Sequence, residues 1–217
     1  NEYAWTNATL RFTTLKNVQK MTEEAVAAGL PTVNGYSALA KFFNAYFYYD
    51  MTMKVGDLPL TEALKGADNI APKYDSQQAV FAQILTWLDE SNTDLASIIA
   101  ARPEKVEGDF YHNGDLSKWQ KTVNALRFRV LAQLSKRESD LNVKAEFAKM
   151  FNDPGKYPVP TSNDDDLAYV YSSLEKYPFN PDNFGFYALR YNTAATYVTT
   201  LANLKDPRVF VVAEPAA

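Results

Sequence analysis

Residues Lys41 to Leu64 read KFFNAYFYYDMTMKVGDLPLTEAL, an aromatic run that passes into a Gly-Asp-Leu-Pro turn and then a short Thr-Glu-Ala-Leu segment. Between Ala38 and Tyr49 only Lys41 and Asn44 are strongly polar. A helix over this stretch leaves no solvent face to draw, so it must be packed on most of its sides. The stretch therefore reads as a central helix. It opens near Ser37, a good N-cap, and ends before Gly56 and Pro59.

Working outward, Leu15, Val18, Met21 and Ala25 recur at helical spacing from about Thr6 to Ala28, and Gly29 and Pro31 stop that helix. Together with the aromatic helix it makes a hairpin. A third helix follows, with Asp75 as its cap and Gln78 placed to reach back as in a capping box. Its core stripe is Val80, Ile84, Leu88, Leu95 and Ile98, running on toward Ala101 with Pro103 just beyond. After a polar loop from Pro103 to Asn113, a fourth helix begins near Ser117. It repeats Trp119, Val123, Leu126, Val130 and Leu134, leaving Lys121, Asn124, Arg127 and Lys136 to face outward or bridge neighbours. Two shorter helices are expected: Val143 to Phe151 with Phe147 and Met150 inward, and Ala194 to Leu204 with Val198, Leu201 and Leu204 inward. No intervening piece shows a long strand alternation. The fold class is mainly α, with stacked helical hairpins of the tetratricopeptide kind, although the 34-residue consensus of that repeat is not evident. Between Pro154 and Asn192 the composition shifts to Pro, Asn, Asp and aromatics, the mark of long irregular loops rather than a linker between domains.

Composition narrows the function. The 217 residues are 47% hydrophobic and 22% charged, which fits a single globular domain over 1–217 with a substantial core. A net charge of −4 with dispersed Lys and Arg offers no field for phosphate backbones, so nucleic acid is not an expected partner. With no cysteine there is neither disulfide nor thiol nucleophile. No apolar run reaches the roughly 20 residues that span a bilayer, and the start lacks the pattern of a signal peptide.

Catalytic patterns are missing as well. There is no nucleophile elbow, phosphate loop or zinc-binding helix motif, and no cofactor is expected. Asp89 with Glu90, or Glu104 with Glu107, are carboxylate pairs, but glycoside hydrolysis needs two carboxyls fixed across a sugar, which spacing along helices and loops does not show. The expectation is that the chain is not an enzyme. Asp164, Asp165 and Asp166 lack the alternating ligands, central Gly and distal Glu of a calcium loop and read as a solvated turn. His112, the one histidine, reads as a surface residue in a polar loop, and no metal site is expected.

Five blocks together resemble a known family: GDLPLTEAL at 56–64 behind its aromatic helix, PKYDSQQAVFAQILTWLDES at 72–91, GDLSKWQKTVNALRFRVLAQLS at 114–135, SNDDDLAYVYS at 162–172 and LANLKDPRVF at 201–210. In this order they are similar to the SusD/RagB-like nutrient-binding lipoproteins of the Bacteroidetes outer membrane. The resemblance implies a cell-surface, lipid-anchored protein that binds an oligosaccharide, or in some members a peptide, and passes it to a TonB-dependent SusC-like transporter. Such proteins carry a lipid on a cysteine that these residues do not contain, so the only membrane attachment would be an anchor absent from this chain. They are also about twice this length, which makes the chain the expected N-terminal to central part of a longer protein.

Glycans are held by aromatic faces flanked by planar polar side chains, and composition alone points to one cluster: Tyr177, Phe179, Asn180, Asn183, Phe186, Tyr187, Arg190 and Tyr191. The plainer alternative is that these rings pack a satellite core beneath a long loop. A second candidate is the start of the chain, where Tyr3 and Trp5 stand beside Asn1, Asn7 and Arg11; there an aromatic ahead of a helix also serves as a hydrophobic staple. A competing function is a helical-repeat module gripping a protein or peptide partner without glycan binding. A glycan hydrolase is a third.

Overall fold

The computed structural model describes residues 10–101, 105–177 and 194–212. It divides into two compact units, Asn1–Tyr169 and Val170–Ala217. In the first, α1 (Phe12–Ala27), α2 (Gly35–Val55), α3 (Gln77–Ala101) and α4 (Leu116–Gln133) are followed by α5 (Glu138–Leu141) and α6 (Val143–Phe151). α1 packs on α2, α2 on α3 and α3 on α4, with the most extensive contact between α2 and α3, and α6 packs on α4. Among the described residues there is no strand, only the isolated bridges Leu58–Asp75 and Lys105–Asp115. The expectation of a mainly α stack of hairpins holds.

α2 is the centre, as its composition requires. Ala38, Leu39, Phe42, Ala45, Tyr48 and Met51 are buried, and from Ala38 to Tyr49 only Tyr46 is exposed, at 40%. Its start is a reciprocal cap: the Asn34 side chain accepts from Ser37 N–H at 2.9 Å, and the Ser37 hydroxyl oxygen accepts from Asn34 N–H at 2.9 Å. Ser37 is thus the third helical residue rather than the N-cap, because Asn34 is already held by donating to Pro31 O at 2.7 Å. Ser91 on α3 donates to Ala38 O at 2.8 Å, tying two buried helix faces together.

The GDLPLTEAL turn joins the end of α2 to the start of α3. Leu58 is buried and pairs with Asp75 through both backbone bonds, 3.1 and 2.9 Å. The buried Tyr48 hydroxyl donates to Pro59 O at 3.0 Å, and burial pushes this phenol well above its ordinary pKa. Asp75 does not cap α3. Its carboxylate accepts from Thr61 and Leu60 N–H, both at 2.9 Å, which holds it below the usual carboxylate range. The α3 start is instead supported by Ser76, which accepts from Ala79 N–H at 3.2 Å, and by Asp57, which accepts from Gln77 N–H at 2.7 Å. The turn reaches across the gap and takes the aspartate that local spacing assigned to the helix.

α3 and α4 meet through a buried polar hub. Asn92 Oδ1 accepts from Gln120 at 3.0 Å and from Asn124 at 2.9 Å. Asn92 also donates to Lys156 O at 3.2 Å and Asn124 to Pro158 O at 2.9 Å, so the irregular segment after α6 is laced onto both helices. One turn along, the buried Arg127 pairs with Asp89 and, at 2.7 Å, with Glu146, while its guanidinium carbon lies 5.5 Å from the Tyr157 ring centre. Of the two expectations for Asn124 and Arg127, facing outward or bridging neighbours, the second holds: both residues are buried and bridge.

Other expectations need correction. The backbone turns at Leu10 and Arg11, so α1 begins at Phe12, not near Thr6; Arg11 N–H donates across to Met51 Sδ at 3.1 Å instead of along a helix. Phe147 is 40% exposed, because α6 is short and turns only Val143 and Met150 inward. In the second unit, α7 (Ala195–Asn203) buries Leu201 but leaves Leu204 71% exposed. There Lys205 takes the left-handed conformation (φ 53°) and closes the helix, donating to Ala202 O while Asp206 donates to Leu201 O. α8 (Val209–Val212) follows and packs on α7.

Candidate functional site

The exposed ring of α2 opens onto a cleft of about 420 Å³ in the first unit. Phe43, Tyr46, Phe47, Asp50 and Lys54 supply one wall, one stripe of the helix at spacings of three and four. Arg11 and Thr14 at the start of α1 form a lip, and Tyr111 and Leu167 close the other side.

The rings form a connected ladder. Phe43 stacks on Phe47 (6.2 Å, 21°), Tyr46 sits edge-on to Phe47 (5.4 Å, 80°), and Phe43 meets the buried Trp119 edge-on at 5.7 Å. Tyr111 meets the same indole at 6.1 Å, touches Phe110 at 4.5 Å, and Phe110 meets Tyr169 at 5.6 Å. Phe110 is 65% exposed, so the ladder runs from the core to a surface ring beside the cleft.

One carboxylate builds the loop that presents Phe110 and Tyr111. Asp109 accepts from Trp119 Nε1 at 2.7 Å, from Gly114 and Tyr111 N–H at 2.9 Å, and from His112 N–H at 3.3 Å. Burial opposes its ionisation, but the indole and the amides outweigh burial and hold it below the ordinary carboxylate range. Gly114 is required at the turn. Its φ is +78°, and a Cβ there would lie 2.6 Å from the Val106 carbonyl oxygen.

His112 is buried in this loop, not on the surface. Its ring lies edge-on to Trp119 at 5.0 Å, and Nε2 is 2.9 Å from Thr122 Oγ1. The Thr122 hydroxyl donates to Lys118 O at 3.1 Å, so Nε2 carries the proton and donates to Thr122. Burial lowers the imidazole pKa, with Asp109 partly opposing.

Leu167 is set by the acidic segment at Asn163–Asp165. Asp165 is buried and takes Lys121 at 2.9 Å, while Thr161 N–H donates to it at 3.0 Å. The Thr161 amide first and the Lys121 ammonium second bring its pKa down to about 2. Asp165 is therefore an internal clamp, while Asp164 and Asp166 on either side of it are exposed, as a solvated turn requires. Among the described residues no group of three or more metal-ligating side chains comes together. Asp89 and Glu90 are engaged by Arg127 and Lys41, the latter also 2.8 Å from Asp94.

Of the sequence candidates, Tyr177 is described: it lies in the second unit, 52% exposed and edge-on to Tyr171 at 5.0 Å. Phe179, Asn180, Asn183, Phe186, Tyr187, Arg190 and Tyr191 lie outside the described residues, as do Asn1, Tyr3, Trp5 and Asn7. Arg11, from the second candidate, is on the cleft. Sequence reasoning missed Tyr46, Phe47, Phe110 and Tyr111. The signal was present: an aromatic pair between Gly108 and Gly114, in a loop read only as polar.

A stack of helical hairpins presenting an aromatic cleft is the architecture of a binding scaffold. The chain belongs to the SusD-like family described as starch-binding associating with outer membrane, whose model matches residues 1–217. Solved structures agree. A SusD homologue of Bacteroides fragilis NCTC 9343 is 34% identical with a TM-score of 0.80, over 94% of this chain and 42% of its own. A Bacteroides vulgatus ATCC 8482 protein, thought to be an outer membrane protein of nutrient binding, is 35% identical with a TM-score of 0.76, over 93% of this chain and 42% of its own. The chain thus spans less than half the length of these relatives. Among curated protein sequences no match was found.

Proposed function

We propose that this chain takes part in binding an oligosaccharide nutrient at the cell surface, within a lipid-anchored outer-membrane protein that delivers the ligand to a TonB-dependent SusC-like transporter. The observation that supports this is the aromatic cleft at α2 on a scaffold of the SusD-like family. Tyr46 and Phe47 offer ring faces to the apolar face of a pyranose, and Thr14, Asp50 and Tyr111 offer groups that hydrogen-bond hydroxyls. A second patch is proposed on Tyr177, Phe179, Asn180, Asn183, Phe186, Tyr187, Arg190 and Tyr191.

Calorimetry against a panel of oligosaccharides tests the reading. Tyr46→Ala is expected to weaken binding about tenfold, the worth of one stacked ring, with little change in melting temperature because the ring is exposed. If Tyr187→Ala weakens binding while Tyr46→Ala does not, the site belongs to the 177–191 segment. Absence of heat with every glycan and peptide, together with capture of a soluble protein partner, would establish the interaction-module alternative instead.

A further inference from the structure

Resting on that reading, we infer that the cleft selects a sugar bearing a carboxylate, and that Arg11 is the residue that reads the charge. The charges on the wall are unevenly matched. Lys54 and Asp50 neutralise each other at 2.7 Å, one helical turn apart, and Arg11 is left over. Arg11 is also unusual among the described arginines. Arg127 holds Asp89 and Glu146, Arg137 holds Asp140, Arg208 holds Asp206, and Arg129 lies 6.0 Å from the Tyr49 ring centre. Among the described residues Arg11 has neither a carboxylate nor a ring against it, although the whole chain carries a net charge of −4.

Its position is fixed while its side chain stays exposed. The amide of Arg11 donates to Met51 Sδ at 3.1 Å, which ties its backbone to α2, and its exposed side chain lines the cleft. A guanidinium offers a planar fork that matches a carboxylate with two parallel hydrogen bonds, and it needs no second cation to do so. The described wall contains no Asn or Gln, the amide forks that read neutral vicinal hydroxyls. Ring faces plus a lone guanidinium fork therefore fit a pyranose whose carboxylate projects from the ring edge, as in uronic and sialic acids.

The test is calorimetry of the protein with trigalacturonate, a hyaluronan tetrasaccharide and sialyllactose, each paired with its carboxyl methyl ester. At least one acid is expected to bind about fivefold tighter than its ester, the ceiling of an exposed ion pair. Arg11→Gln is expected to bring that ratio to about one, Arg11→Lys to retain part of it, and added salt to narrow it for the acid alone. Equal affinity for acid and ester, or a ratio that Arg11→Gln leaves intact, overturns the charge reading and leaves the glycan site standing. If no acid, ester or neutral glycan binds at all, the proposed function falls together with it.

Discussion

At the scale of single residues, His112 carries the sharpest expectation. Its folded pKa lies below the unfolded value of 6.5, so the unfolded chain takes up the proton first as pH falls. The stability it contributes is therefore complete above about pH 6.5 and declines as pH drops through the folded pKa. Asp109, also lowered, acts in the same direction, but below its ordinary 3.8. Urea denaturation from pH 8 to pH 5 should show a fall in stability that His112→Gln removes; an identical slope in the variant would contradict this account. The sequence concealed the burial of His112 because nothing local announces it. The ring is enclosed by Thr122 and Trp119 from the following helix, and the Asp109 carboxylate, with the Lys105–Asp115 bridge, folds the loop back to bring them together.

At the scale of elements, the helices were readable because their apolar periodicity is itself the packing pattern: Val80, Ile84, Leu88, Leu95 and Ile98 are all buried. Their caps were less readable. Ser37 and Asp75 are good cap residues by type, but which neighbour serves depends on where the chain arrives from, and Asn34 and Ser76 are better placed. The cleft was hidden for a related reason. An all-apolar helix declares that it is central, yet not which of its rings stays uncovered, and Tyr46 is decided by the 105–115 loop and the segment ending at Leu167. That loop offers the test at this scale. Gly114→Ala forces a Cβ against the Val106 carbonyl at a positive φ and should destabilise the protein by about 2 kcal/mol, lowering glycan affinity as Phe110 and Tyr111 lose their support. A variant with wild-type melting temperature and affinity would show that the loop is not built as described.

Across the whole molecule, buried area is distributed unequally. The core cluster runs through α1, α2, α3, α4 and α6, whereas in the second unit α7 contributes Leu201 as its one buried apolar residue among those described. Local opening follows buried contacts. Amide hydrogen exchange should find residues 195–212 exchanging first and the α2 and α3 amides last; strong protection of α7 would contradict that order. The hairpin stack was legible at this scale from helix spacing and block order. The division at Tyr169 was not, since a shift to Pro and Asn marks irregular chain without saying where one compact body stops.

The hub of Asn92 and Asn124 has a consequence for how this fold can vary. Both amides grip main-chain oxygens, those of Lys156 and Pro158, and a backbone oxygen is the same whatever side chain stands beside it. The course of that stretch is thus pinned while its lettering is free. Substitutions at 156 should pass unnoticed, whereas Asn124→Asp would drive a buried negative charge against two oxygens and release the strap, loosening Leu167 and the distant mouth it helps to shape.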